Sequence, residues 1–333
     1  MFNKLNENKT YIIAEIGSNH NGNFKLALKQ IALAKKSGCD AVKFQTWDLT
    51  LNSEQTYLKN NKIFEEYQKY SLSYEQLIKL KKYSKKIKID FGVSIFSKKE
   101  LTNAVKLNVD FVKIASMDLN NYELIKQCSK IKKPLIISTG FSTEKEIIKS
   151  SKILKRAKKN NVVFLHCISL YPPKNLNLIN LLNIKKIKNI TGYKSGFSDH
   201  SLDSDVAISA ASLGASVIEK HFTSNKKLKG WDHSISADFK EMKDIITKIK
   251  KINLIKGNYN RKLDIREIKQ SKIMRRSIHI KNSLEKNKII LRDDLILQRP
   301  GNGMPPEKLT QIIGKKTKYS LKKGTLLKKN HIL

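Results

Sequence analysis

Five ionisable side chains stand at the ends of short apolar runs in this chain: Glu15, Lys43, Lys113, His200 and His221. Neutral imidazoles on neighbouring strands can share a divalent metal, with carboxylate or water completing the shell. Asp199, Glu219, Asp232 and His233 lie close to the two histidines in sequence. A histidine at a strand end, taken alone, is more often a hydrogen-bonded structural residue; the acidic neighbours favour the metal. The lysines keep company with hydroxyls, Ser94, Ser116 and Ser138. Inward-facing lysines are costly to bury without an anion, and ammonium groups with hydroxyls suit a phosphate and a carboxylate. Two other readings stay open: lysines that snorkel to solvent, or one that acts as a Schiff-base nucleophile, as in many barrel aldolases. The histidine pair argues instead for metal-assisted activation of a carbonyl.

Eight apolar runs position these residues: Tyr11 to Glu15, Asp40 to Gln45, Ile89 to Ser94, Asp110 to Asp118, Pro134 to Gly140, Val162 to Cys167, Thr191 to Phe197 and Val217 to His221. Helix-length amphipathic stretches separate most of them, for instance Phe24 to Lys36 and Tyr74 to Lys85, with an excursion from Thr46 to Tyr70. After the fifth run Ser142 is expected to cap a helix carrying Glu144 and Glu146 in its first turn. A parallel strand buried on both faces reads as a continuous apolar run, so the rhythm predicts a (β/α)8 TIM barrel. The polar residue ending each run then leaves the core at the carboxyl rim, where such barrels build active sites. Closure would set Glu15 on strand one beside strand eight. An open doubly wound sheet is the alternative, but no Gly-rich phosphate loop follows strand one.

The barrel domain is read as residues 1–255 and 256–272 as a linker. A small β-rich domain over 273–333 has strands expected at Ser277-Ile-His-Ile, Ile289-Ile-Leu and Asp294-Leu-Ile-Leu. A core that small is marginal alone and is expected to pack on a barrel. The formal net charge is +37, from 66 basic against 29 acidic residues. Only 7 of the basic residues are arginine, the side chain that phosphate and base recognition favours. The lysines spread over nearly every helix, so the charge is read as a solvated surface that helps draw in an anionic substrate, with no nucleic-acid partner. No apolar run approaches the roughly 20 residues of a membrane span, and the first eight residues do not read as a signal peptide. Cys39, Cys128 and Cys167 have no paired spacing, which suits a reducing cytoplasm.

Several motifs, in order and at matching relative spacing, resemble the sialic acid synthase family, bacterial legionaminic and pseudaminic acid synthases included. They are Ala14-Glu-Ile-Gly-Ser-Asn-His-Asn-Gly22, Val42-Lys-Phe-Gln-Thr46, Lys113-Ile-Ala-Ser116, Ser138-Thr-Gly140, His166-Cys167 with Tyr171-Pro172, Phe197-Ser-Asp-His200 and Glu219-Lys-His-Phe-Thr223. The tail, with Gln298-Arg-Pro-Gly-Asn-Gly303 and Ile313-Gly-Lys-Lys316, resembles that family's antifreeze-like (SAF-type, β-clip) domain. The resemblance implies condensation of phosphoenolpyruvate with an open-chain N-acylated mannosamine-type sugar, giving a nine-carbon 2-keto-3-deoxy acid and phosphate. It implies a divalent metal held by His200 and His221, Mn2+ first, with Mg2+ or Co2+ as substitutes. Lys43, Ser94, Lys113, Ser116, Ser138 and Ser198 would bind phosphoenolpyruvate. Gln45, Asp118, Ser169, Tyr171 and Asp232 would face the sugar, and Glu15 would sit by the metal and the reacting carbon. Arg299 would reach the sugar site of a partner subunit in a domain-swapped homodimer; the alternative is an arginine that pairs within its own domain.

The chain departs from the family's common pattern in three places. Ser94-Ile95-Phe96 stands where many relatives have Thr-Pro-Phe, which keeps the hydroxyl. Asp118 replaces a common glutamate, and Ser169 stands where an asparagine is frequent. The last two alter the sugar pocket, so a 2,4-diacetamido-2,4,6-trideoxyhexose stands beside N-acetylmannosamine as acceptor. Trp231, next to Asp232, could pack against a deoxy methyl group or serve only to pack its loop.

Overall fold

The computed structural model describes residues 9–46, 61–257 and 260–333. The first eight residues, read as no signal peptide, and most of the excursion after the second run lie outside the described residues. Eight parallel strands close into a barrel in sequence order, β8 returning to β1. They are β1 (Tyr11–Gly17), β2 (Ala41–Gln45), β3 (Asp90–Ile95), β4 (Phe111–Ile114), β5 (Leu135–Ser138), β6 (Val162–Cys167), β7 (Lys194–Asp199) and β8 (Val217–His221). Around them run α1 (Phe24–Ser37), α2 (Asn61–Lys69), α3 (Tyr74–Lys86), α4 (Lys98–Lys106), α5 (Tyr122–Ser129), α6 (Glu144–Arg156), α7 (Asn183–Thr191), α8 (Ser204–Ser212) and α9 (Phe239–Lys256). The chain is a TIM barrel with a small C-terminal unit, as its alternating apolar runs and amphipathic stretches predict.

Helix starts follow local chemistry. Ser73 with Gln76, Ser97 with Glu100, Thr143 with Glu146 and Asp238 with Glu241 each form a reciprocal capping box. The cap of α6 is therefore Thr143, not Ser142. Thr143 stands three residues before Glu146, the spacing the box requires, while the Ser142 hydroxyl donates back to the Gly140 carbonyl. The seventh strand also begins later than expected. Thr191 is the last residue of α7, and Gly192, at φ +72°, supplies the left-handed turn that ends that helix. The fourth run divides as well: β4 stops at Ile114 and Ser116–Asp118 form a 3-10 turn.

Two apolar layers hold the barrel. One lies between strands and helices, around Phe44, Phe91, Phe164 and Phe222. The other fills the interior with Tyr11, Ile13, Ala41, Phe111, Ile136, Val163, Leu165 and Val217. Gly92 makes room for Phe111. A Cβ there would lie 2.2 Å from the Phe111 ring.

A second compact unit follows Gly257. Its α10 (Ile265–Met274) starts within the stretch read as linker and runs past its end, and β9 (Ser277–Ile280) pairs antiparallel with β10 (Leu295–Gln298). Its core gathers Ile278, Ile280, Leu284, Ile290, Leu295, Ile312, Leu321 and Leu327. The strand expected at Ile289-Ile-Leu does not form: Ile289 makes one isolated bridge to Lys316, and only Ile290 of the three turns into the core. No helix among the described residues is long and apolar enough to cross a membrane.

Candidate functional site

Strand alternation carries each inward face from apolar to polar on the way to the carboxyl end. Ile13 leads to Glu15, Ala41 to Lys43 and Gln45, and Gly92 to Ser94. Phe111 leads to Lys113, Ile136 to Ser138, Leu165 to Cys167, Gly196 to Ser198, and Val217 to Glu219 and His221. These groups do not leave the core, contrary to the expectation for run-ending polar residues. Glu15, Lys43, Lys113 and Glu219 are each 4% exposed or less, and they form a polar storey inside the barrel above its apolar plug.

Burial excludes snorkelling for both lysines and demands counter-charge. Lys43 Nζ lies 2.5 Å from Glu15 Oε2 and 3.8 Å from Glu219 Oε2, and donates to Ser94 Oγ at 2.5 Å. Lys113 Nζ donates to Glu219 Oε1 at 2.6 Å, and Ser198 Oγ donates to the same oxygen at 2.9 Å. The two carboxylates differ in how well they are compensated. For Glu15, burial outweighs the pull of Lys43 and raises its pKa to about 7. For Glu219, burial is overcome by Lys113 and Lys43 and by hydrogen bonds from Lys113 and Ser198, which hold its pKa at about 2. Glu15 Oε1 has no hydrogen-bond partner.

The hydroxyls gather on the next strands. Ser116 Oγ accepts from Gly140 N at 3.1 Å and lies 3.0 Å from Cys167 Sγ. Ser138 Oγ and Ser169 Oγ are buried without hydrogen-bond partners. A Cβ at Gly140 would lie 2.1 Å from Ser169 Oγ, so glycine is what lets these groups converge. Gln45 is in register with Ser94. Asp118 sits on the turn after β4, where burial raises its pKa and its Oδ1 accepts from Asn121 Nδ2 at 3.3 Å.

Across the barrel the His200 and His221 rings lie 5.5 Å apart between centroids, and the Tyr171 ring lies over His200 at 4.1 Å. Burial lowers the pKa of His200 to about 4 and that of His221 to about 3, so both imidazoles are neutral near pH 7. His200 Nδ1 contacts the Ile168 carbonyl at 2.8 Å. A carbonyl can only accept, so Nδ1 carries the proton and Nε2 keeps its lone pair. His221 Nδ1 is buried without a hydrogen bond, 3.5 Å from Asp232 Oδ2. Among the described residues no three His, Cys, Asp or Glu side chains are arranged to hold a metal ion. Two neutral imidazoles with an available lone pair still fit a divalent ion that completes its shell with water or substrate.

Trp231 and Arg299 have contacts that match the alternatives left open for them, packing of a loop and pairing within the small domain. Trp231 packs edge-on against Tyr67 and Tyr70 and donates Nε1 to Glu66 Oε2 at 3.1 Å, so it ties α2 to the loop bearing Asp232. Arg299, in the small unit, donates Nε to the Met274 carbonyl at 2.7 Å and is exposed. In the sequence Glu219 stands out only as a neighbour of the histidines, yet it contacts both lysines. The period of two on β8 carries the signal that finds it, since Glu219 shares a face with His221.

Comparisons with known proteins match the sequence and the overall fold. The profile of the NeuB family matches residues 30–261, and that of the SAF domain matches residues 275–333. The N,N'-diacetyllegionaminic acid synthase of Legionella pneumophila is 35% identical, covering 97% of this chain and 94% of its own. The pseudaminic acid synthase of Helicobacter pylori is 32% identical over 96% of this chain and 97% of its own. A crystal structure of N-acetylneuraminic acid synthetase from Leptospira borgpetersenii, solved with citrate, superposes with a TM-score of 0.73 at 31% identity. It covers 79% of this chain and 90% of that one.

Proposed function

The chain belongs to the NeuB family, and from that premise we propose that it condenses phosphoenolpyruvate with an N-acylated hexosamine to give a nine-carbon nonulosonic acid and phosphate. One observation carries the reading: two ammonium groups, Lys43 and Lys113, are buried inside the barrel beside a cluster of hydroxyls, opposite two neutral imidazoles. An incoming phosphate and carboxylate replace part of the counter-charge that Glu15 and Glu219 supply, and Ser94, Ser116, Ser138 and Ser198 offer hydroxyls to the same anion. The acceptor occupies the side lined by Gln45, Asp118, Ser169, Tyr171 and Asp232. Bound by His200 and His221, a divalent ion, Mn2+ or else Mg2+ or Co2+, supplies Lewis acidity toward an aldehyde.

The enol carbon forms a bond to the aldehyde carbon, whose oxygen becomes a hydroxyl. The phosphate-bearing carbon is left electron-deficient and takes the oxygen of water. Its bond to the phosphate oxygen then breaks, the electron pair leaving with the phosphate, and the added oxygen gives up its second proton to become the ketone; of the two protons that the water brings, one ends on the new hydroxyl and one on the phosphate. Ionised Glu15 stabilises the cation and accepts the proton that the water loses. The Schiff-base alternative needs a free amine, whereas Lys43 Nζ is held by Glu15 and Ser94 and Lys113 Nζ by Glu219.

Arg299 is assigned to the acceptor site of a partner subunit in a domain-swapped homodimer, the chain acting in the cytoplasm. The acceptor is drawn from N-acetylmannosamine and 2,4-diacetamido-2,4,6-trideoxyhexoses. The test is phosphate release over a panel of six-carbon N-acyl sugars. Release is expected only with phosphoenolpyruvate, one of these sugars and a divalent metal together, and chelation abolishes it. Full activity in chelator, or an adduct trapped on Lys43 or Lys113 by borohydride, would sink the proposal.

A further inference from the structure

Each site histidine follows one member of a buried ion pair that the condensation chemistry does not use. Asp199 precedes His200, Lys220 precedes His221, and the two are direct register partners across β7 and β8. Strand alternation turns both outward from the barrel interior, yet their side chains are 0% and 3% exposed. Lys220 Nζ donates to Asp199 Oδ2 at 2.7 Å and to the Ser201 carbonyl at 2.8 Å. Asp199 Oδ1 in turn accepts from Ser201 N at 2.9 Å and from Ser201 Oγ at 2.7 Å. Four hydrogen bonds thus close a clasp around the turn that carries His200, one residue beyond the end of β7 and outside its ladder.

A buried ion pair adds little net stability, since desolvation offsets its attraction and apolar replacements are often neutral. What such a pair does supply is fixed geometry. Here the geometry is the separation of two imidazoles, because the clasp pins the residues immediately before both of them. His200 is further held by the Ile168 carbonyl at Nδ1, which sets the ring's tautomer, and by the Tyr171 ring over its face.

We propose that Asp199 and Lys220, with Ser201, are positioning residues that set the His200 to His221 spacing for a divalent metal. The inference rests on the metal site of the proposed function, and its test separates the two. The double variant Asp199→Asn/Lys220→Met removes both charges together, so no lone charge stays buried, and Ser201→Ala, a milder probe, removes one hydrogen bond of the clasp together with the hydroxyl's bond to the Asp203 carbonyl. Mn2+ uptake by the purified full-length protein is followed by the loss of the free-ion electron paramagnetic resonance signal, with no turnover needed. The expected result is Mn2+ affinity lowered 10-fold or more in the double variant and less in Ser201→Ala. The KM for phosphoenolpyruvate should stay within 2-fold and the melting temperature near that of the parent. Wild-type uptake matched by equal affinity in the double variant overturns the clasp alone. No uptake by the wild-type protein overturns the histidine metal site and the clasp's role together.

Discussion

Removing the carboxylate of Glu219 leaves Lys113 and Lys43 buried with Glu15 as their remaining counter-charge. Breaking one side of a buried pair costs roughly 3–5 kcal/mol. Urea denaturation of Glu219→Gln should show a loss of that order, and Glu219→Gln/Lys113→Met should recover part of it. Glu15 makes the opposite kind of prediction. Its pKa near 7 in the ligand-free protein means that the ionised form used in the chemistry gains population as pH rises through neutrality. The profile of kcat/KM, which reports the free enzyme, should climb through about pH 7. Glu15→Gln should lower kcat about 100-fold or more and abolish that limb; an unchanged profile would remove Glu15 from the proton transfer. Residue types and run ends made Lys43, Lys113, His200 and His221 legible in the sequence. The pairing of each lysine with a glutamate was not, because it depends on which strands the barrel brings opposite one another.

Gly92 and Trp231 act through the elements they join. A methyl at Gly92 would overlap the Phe111 ring, and overpacking a filled core costs about 1–3 kcal/mol. Gly92→Ala should lower the melting temperature, and Phe111→Leu in the same chain should restore part of the loss. Trp231 is held by Tyr67, Tyr70 and Glu66 of the segment before β3. Trp231→Ala should therefore raise the KM for the sugar through its neighbour Asp232 while leaving that for phosphoenolpyruvate within about 2-fold; equal rises in both would contradict this division of the site. Continuous apolar runs announced six of the strands to within two residues at either end, while the fourth run overshot its strand into the turn at Ser116–Asp118. The seventh run overreaches at its start because Thr191 is β-branched and follows Ile190, whereas Gly192 ends α7 there in a left-handed turn. The cap at Thr143 was open to the same sequence logic that chose Ser142, and the Glu146 spacing decides between them.

At the scale of the whole molecule, buried neutral histidines tie stability to pH. Burial holds His20 and His200 near 4 and His221 near 3, against about 6.5 for an exposed imidazole. Between about pH 6.5 and 4 the unfolded chain therefore binds protons at these positions that the folded chain refuses, and stability falls as pH drops. Glu15 opposes this with one group: its raised pKa makes the folded chain hold a proton that the unfolded chain releases above about 4.5. The three histidines prevail, so the melting temperature should fall by several degrees between pH 7 and 5, and the slope should flatten in His200→Ala/His221→Ala. The proposed swap of small domains is tested by complementation. Coexpressed His200→Ala and Arg299→Ala chains should regain activity, because one of the two mixed sites is then intact; no recovery would place Arg299 within its own subunit. The fate of the bridging oxygen of phosphoenolpyruvate tests the central claim most directly. With 18O at that position, the account predicts that 31P nuclear magnetic resonance finds the label in inorganic phosphate, and only when the N-acyl sugar is present. Unlabelled phosphate, or release without the sugar, would contradict it.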